Sequence, residues 1–232
     1  MNNMLTLNLS GGCIMVQNAF IMQRNKKLGE KVVINLKKRF FDAYYVETKE
    51  EALIKAIELI PEHDTVSWGG SMSVLETGLI DYVLKGNYNI INRDVAKTTE
   101  EKMSLLKQAM FCDTYLMGTN AISKDGQLVN IDCIGNRTAA LMFGPKSVIV
   151  IAGMNKVESN IDTAIKRARE TAAPINMQRI AGNGMSQTPC FSTGECHDCT
   201  SKDSICSHIV ITRLCNPQKR IKVILTGEDL GF

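Results

Sequence analysis

The chain has little histidine, little proline and almost no tryptophan: three His, five Pro and one Trp in 232 residues. Two of the histidines, His197 and His208, sit among cysteines near the C-terminus, which leaves only His63, between a helical and a strand-like stretch. A Ser-His-Asp constellation, whose base is a histidine oriented by a carboxylate, finds no material here. Charge of one sign is also lacking. The formal net charge of +3 is too small to mark a nucleic-acid or membrane-surface binder. No apolar run approaches the ~20 residues that cross a bilayer, and "SVIVIAGM" from Ser147 is only strand length. Neither a P-loop nor a GxGxxG fingerprint occurs, so the chain carries no nucleotide-cofactor motif. A cytoplasmic protein with no nucleic-acid and no membrane partner is expected; a homo-oligomer stays open.

What is present is ordinary globular material, 44% hydrophobic and 22% charged, in a length that suits one large α/β domain. The first charged residue is Arg24, and the mildly apolar stretch before it lacks the Lys/Arg start of a secretory signal. Met15 and Met22 are alternative starts. Residues 1–21 show neither a capped helix nor strand alternation and are expected to be a poorly ordered extension, with residues 22–232 forming the domain. Eight cysteines would suit a secreted disulfide framework only if spread evenly through a smaller chain. Here Cys13, Cys112 and Cys133 are scattered as core cysteines usually are, and the others gather near the end.

From "ETKEEALIKAIELIP" onward helical and strand patterns alternate. Leu53, Ala56, Ile57 and Ile60 make one apolar helix face stopped by Pro61. "DTVSW" reads as a strand, followed by a helix with Ser73 and Glu76 at capping-box spacing; "YNII" is a strand, and Thr98 and Glu101 cap the helix after it. "DTYLMG" is a strand, Asp125-Gly126 signals a hairpin, and "GNRTAALMFGP" is a short helix. "SVIVIAG" looks like a buried parallel strand, "SNIDTAIKRARETAAP" like the last long helix, and "HIVIT" and "RIKVIL" like closing strands. Such alternation implies right-handed βαβ units: a three-layer α/β/α, mostly parallel sheet with an antiparallel hairpin attached. Ligands then belong beyond the carboxyl ends of the strands, at "WGGS", "MGTNAI", "GNR" and "IAGMNK".

"SWGGSMS", from Ser67 to Ser73, has the glycines and helix-start amides that favour an anion, although a tight strand-to-helix turn alone explains them. "DGQLVNIDCIGNRTAA" gathers Asn130, Asp132, Asn136 and Arg137, which suit a phosphate, a carboxylate or a sugar, or simply a hairpin and a helix cap. Arg137 resists the second reading best, because a cation just inside a helix start opposes the dipole unless it faces an anion; Asp132 is its mate.

The most unusual stretch is "PCFSTGECHDCTSKDSICSHIVIT", from Pro189 to Thr212. Cys190, Cys196, Cys199 and Cys206 are spaced C-x5-C-x2-C-x6-C, with Cys215, His197 and His208 as reserve ligands across residues 189–215. Four thiolates around a central C-x2-C suit tetrahedral zinc or an iron–sulfur cluster, between which spacing does not decide. A redox pair through Cys196 and Cys199, or an inert loop, are the alternatives.

Taken together, "DAYYVETKEEAL", "WGGSMS", "YLMGTNAIS" with "DG" and "LVNID", "GNR" with "AAL" and "VIVIAGMNK", "AIKRAR", the "TPC" block and "RIKVILTGEDLGF" resemble a lactate utilisation (LUD) domain protein of the cysteine-tailed, stand-alone type. The resemblance implies a fold similar to phosphosugar isomerases and CoA-transferases. It implies a role as an accessory or catalytic subunit in oxidation of L-lactate to pyruvate, beside iron–sulfur electron-transfer partners, on a small anionic metabolite. It places Gly69, Gly70, Ser71, Asn120, Asn130, Gly135 and Asn136 in the ligand-binding loops, with Asp132 and Arg137 as candidate catalytic residues. Cys133 stands where a small glycine-like residue is expected beside the site. An isomerase, transferase or sensor for a phosphorylated or CoA-linked ligand, with a structural zinc, is the other expectation.

Overall fold

The computed structural model describes residues 9–182, 184 and 186–232, with side chains from residue 19 onward. In chain order it begins with α1 (Leu9–Lys38), β1 (Asp42–Val46), α2 (Lys49–Glu58), β2 (Thr65–Trp68), α3 (Met72–Glu76), α4 (Leu79–Lys85) and β3 (Asn89–Ile90). Next come α5 (Thr99–Gln108), β4 (Thr114–Gly118), β5 (Ala121–Ser123), β6 (Leu128–Asp132), α6 (Asn136–Met142), β7 (Ser147–Gly153) and β8 (Val157–Glu158). Last are α7 (Ile161–Arg167), α8 (Ala173–Ala181), α9 (Pro189–Thr193), β9 (His208–Thr212) and β10 (Ile221–Thr226). Six strands form a wholly parallel sheet in the order β1-β10-β7-β4-β2-β3. The hairpin β5–β6 belongs to a second, mixed sheet, β8-β5-β6-β9.

The layers follow from which side chains each strand presents. Along β7, Val148, Val150 and Ala152 enter one core with Val32 and Leu36 of α1 and Leu128 of β6, whereas Ile149 and Ile151 enter the other with Ala52 of α2, Val74 of α3 and Val83 of α4. A strand buried on both faces reads as a continuous apolar run, as "SVIVIAG" does. The second sheet closes on α7 through Ala121, Val129, Ile131 and Ala164. The protein is a three-layer α/β structure with a small appended sheet. Among the described residues no helix is long and apolar enough to cross a membrane.

Three differences from the sequence expectation have physical causes. Helix α1 begins at Leu9, where no helix was expected; residues 1–8 lie outside the described residues. Its signal is weakened by Gly29, retained because the Tyr45 ring lies where a Cβ would be, 2.3 Å from Cδ2. Second, the last long helix does not stop at Pro174. A π turn over Ala168–Ala172 leads into α8, and Pro174 sits in the first turn of α8, where its missing N–H costs least. Third, Ser73 and Glu76 form no capping box: the cap of α3 is Ser71, whose side chain accepts from Val74 N, and both other residues are used elsewhere.

Ala19, Phe20 and Ile21 are exposed, and the first buried side chain described is Asn25, whose Nδ2 donates to Gly227 O at 2.8 Å. A chain starting at Met22 is therefore expected to melt within about 2 °C of the full chain, a difference below about 1 kcal/mol at this size. Calorimetry of the two proteins checks this, and a larger loss would show packing by the preceding residues.

Candidate functional site

The carboxyl ends of β2, β4 and β7 surround a pocket of about 160 Å³. A cavity of about 150 Å³ accommodates benzene, which has as many heavy atoms as lactate. Of the residues expected to bind ligand, Gly70, Ser71, Asn120, Asn136, Asp132 and Arg137 line it. Gly69, Asn130 and Gly135 do not, and each has a different occupation. Gly69 packs on the Arg137 side chain, where a Cβ would sit 3.3 Å from Cγ and Cδ. Gly135 caps α6 in the left-handed conformation, at φ 84°. Asn130 is fully buried on β6, and among the described residues neither its Oδ1 nor its Nδ2 has a hydrogen-bond partner.

Arg137 spans the floor of the site. Its Nη2 donates to Asn120 Oδ1 at 3.0 Å and to Ile131 O at 2.5 Å, while Nε lies 3.6 Å from Asp132 Oδ2. Burial lowers its pKa, opposed by Asp132 and Tyr115. Asp132 is more occupied than a free acid or base would be: Oδ1 accepts from Gly135 N at 3.2 Å and Oδ2 from Thr138 N at 3.1 Å. Those are the bonds of a helix-start cap, so the carboxylate's geometry suits holding Arg137 and the "GNR" turn together.

Three contributors were not foreseen. Arg93, which follows β3, and Arg179 of α8 converge over Gly70: a Cβ there would lie 3.2 Å from one Nη2 and 3.6 Å from the other, so only glycine leaves the backbone open between two guanidiniums. Arg93 Nε contacts Asp94 Oδ1 at 3.2 Å, whereas Arg179 is held by Asn176 Oδ1, accepting at 3.0 and 2.8 Å. Burial and then Arg93 lower the Arg179 pKa. The third is Lys156, in the turn after β7. It is 4% exposed, its Nζ donates to Ser73 Oγ at 2.7 Å, and it also lines the pocket. "IAGMNK" marked this loop, but nothing in the spacing of Arg93 or Arg179 could reveal that the chain folds them onto "WGGS". Three guanidiniums and the Lys156 amine thus share the pocket with one acidic side chain, Asp132. Preformed positive charge of this density favours an anion.

The cysteine segment lies against the same region. Cys190, Cys196, Cys199 and Cys206 line one cavity of about 80 Å³, together with His197, and Ile205 forms part of the wall of both this cavity and the anion pocket. Burial and then Cys196, Cys190 and Cys199 push the Cys206 thiol up to about 11. Among the described residues, however, no three His, Cys, Asp or Glu converge tightly enough to hold a single metal ion. Cys215 is outside this set, buried in the main core with Sγ accepting from Ile221 N at 3.3 Å, and His208 does not line the cavity. Cys133 lines the anion pocket, and its Sγ lies 3.6 Å from Ser204 O of the cysteine segment; burial and Asp132 raise its pKa.

Fold and site define a three-layer α/β protein with a cation-lined pocket at its strand ends and a cavity lined by four cysteines beside it. The sequence pattern of the LUD domain matches residues 29–226, and the chain belongs to that family, which makes it a lactate-utilisation-related protein. No curated protein sequence matches it. Among solved structures it is similar to a DUF162 family protein from Deinococcus radiodurans, at 10% identity and a TM-score of 0.47, covering 88% of this chain and 98% of that one. A weaker likeness, at 16% identity and a TM-score of 0.30, covers 58% of this chain and 44% of eIF2B beta from Chaetomium thermophilum.

Proposed function

We propose that the protein is a redox subunit of organic-acid oxidation of the L-lactate-to-pyruvate type. On this reading the pocket holds the carboxylate of a small hydroxy or oxo acid, and Cys190, Cys196, Cys199 and Cys206 hold an iron–sulfur centre. The observation that carries it is the shared wall: a pocket lined by Arg93, Arg137, Arg179 and Lys156 and a second cavity lined by four thiols meet at Ile205. A bound cluster would supply one-electron transfer to an iron–sulfur partner protein. The chain's own residues bind and orient: Arg93, Arg137 and Arg179 take the acid group, Asn120 and Asp132 fix Arg137, and Ile205 separates ligand from thiols. A second reading, a phosphorylated ligand, is favoured by the excess of cations over carboxylates, which suits more than one negative charge.

Anaerobically purified protein should be brown, with iron and acid-labile sulfide in near-equal amounts; colourless protein carrying zinc would overturn the cluster. The binding half is tested separately. Arg179→Ala removes a pocket cation with no acidic partner among the described residues, so it should weaken lactate, pyruvate or sugar-phosphate binding by ~1.5–3 kcal/mol, about tenfold to a hundredfold, without lowering stability. Titration calorimetry reads the affinity, and unchanged affinity for every anion would sink the pocket assignment.

A further inference from the structure

Lys156 is buried in a way that its neighbours do not compensate. Its Nζ donates to Ser73 Oγ, and the Ser73 hydroxyl, itself fully buried, donates onward to Leu230 O at 3.2 Å. That relay fixes directions. The Ser73 proton is committed to a carbonyl, so Oγ meets the amine with a lone pair and occupies one N–H of a residue that also lines the pocket. The charged groups around it are mostly of its own sign: Arg137 from α6 and Arg167 from α7, against Glu76 from α3. Arg167 is turned to backbone, donating to Asn155 O at 2.9 Å and Asn120 O at 2.5 Å. Among the described residues no carboxylate lies within ion-pair distance of Lys156.

We propose that Lys156 is the nucleophile of the pocket and forms an imine with the carbonyl of a small anionic oxo compound whose acid group is held by Arg93, Arg137 and Arg179. This rests on the reading of the pocket as an anion site. Burial first, then Arg167 and Arg137, push the amine down to about 7, so a large share is uncharged near neutrality. A desolvated lysine beside another cation is the arrangement that activates an amine toward carbonyl compounds. The Nζ lone pair adds to the carbonyl carbon, and one N–H proton passes to the carbonyl oxygen, giving a carbinolamine. The hydroxyl then leaves with the remaining N–H proton as water, and a carbon–nitrogen double bond forms. Nothing is oxidised or reduced, and hydrolysis reverses the step. The acid group brings the counter-charge that Lys156 lacks, which is why a carbonyl compound bearing an anion is favoured over a neutral aldehyde.

The test is reductive trapping on the full chain. Protein is incubated with cyanoborohydride and either pyruvate or dihydroxyacetone phosphate, and adducts are located by intact mass and peptide mapping. The expected result is a single adduct on Lys156 with at least one of the two, more abundant above than below pH about 7, absent from Lys156→Met and reduced about tenfold in Arg179→Ala. Pyruvate alone reacting would identify a 2-oxo acid, and dihydroxyacetone phosphate alone a sugar phosphate. Adducts confined to exposed lysines, or none, while the same ligands still raise the melting temperature, would overturn the imine and spare the anion pocket. No adduct and no thermal shift with either ligand would overturn both.

Discussion

Serine at both Cys196 and Cys199 is expected to strip the protein of iron and to lower its melting temperature by about 6–12 °C. The two residues form the close pair of the thiol set, and both line the cavity with Cys190 and Cys206. A hydroxyl neither ionises near neutrality nor binds iron as a thiolate does, so losing half the ligands removes the centre and does not merely weaken it. The stability cost comes from what the centre joins. On the proposed reading it would tie Cys190 at α9 to Cys206 beside β9, and a cross-link closing a loop of about 15 residues is worth about 3 kcal/mol. At about 2–4 °C per kcal/mol for a domain of this size, that gives the stated shift. Iron analysis and calorimetry on anaerobic protein check both halves. Full iron content and an unchanged melting curve in the double variant would show that the thiols are bystanders. Because Ile205 also walls the anion pocket, loss of the centre should weaken anion binding as well.

The strand ends were legible because glycine turns, strand runs and the Asp125-Gly126 pair are local signals, and β2, β4 and β7 deliver their loops to one pocket. The thiol set was legible for the same reason: its spacing lies within one short segment. Arg93 and Arg179 were not. Each is an ordinary surface-like residue in its own neighbourhood, and only the crossover connections bring the turn after β3 and the helix α8 over Gly70. Ser73 illustrates a subtler failure. At capping-box spacing from Glu76 it reads as a helix cap, but Ser71 takes that bond, which frees Ser73 for Lys156 and Glu76 to accept from Gly231 N at 2.7 Å. A local rule with two candidate serines cannot tell which one the tertiary structure needs elsewhere. Asp132 goes the other way: the sequence offers it as a chemical group, and its backbone hydrogen bonds occupy it structurally.

Lys156→Met is expected to stabilise the protein while abolishing any chemistry that depends on the amine. The lysine's pKa falls from 10.5 to about 7 on folding, chiefly by burial, so the folded state disfavours its charge. Between those two values the unfolded chain binds more protons than the folded one, and stability therefore rises with pH across that window. Below about 7 both states are protonated and the folded protein carries the full cost of a buried ammonium. At about 1.4 kcal/mol per pK unit the depression corresponds to about 4–5 kcal/mol as a ceiling. Losing the Ser73 hydrogen bond and leaving its Oγ short of a donor offset part of that, so a net gain of about 2 kcal/mol is the expectation. Methionine matches the lysine stem in length and carries no charge to desolvate. The melting temperature should rise by about 4–8 °C at or below neutral pH, with the gap to wild type narrowing as pH is raised toward 10. Calorimetry of both proteins over that range is the measurement. A variant that melts lower than wild type at every pH would mean that Lys156 is charged and paired in the folded protein, and that its value is structural. Stabilisation by removal is the signature of a residue kept in an unfavourable place for its reactivity.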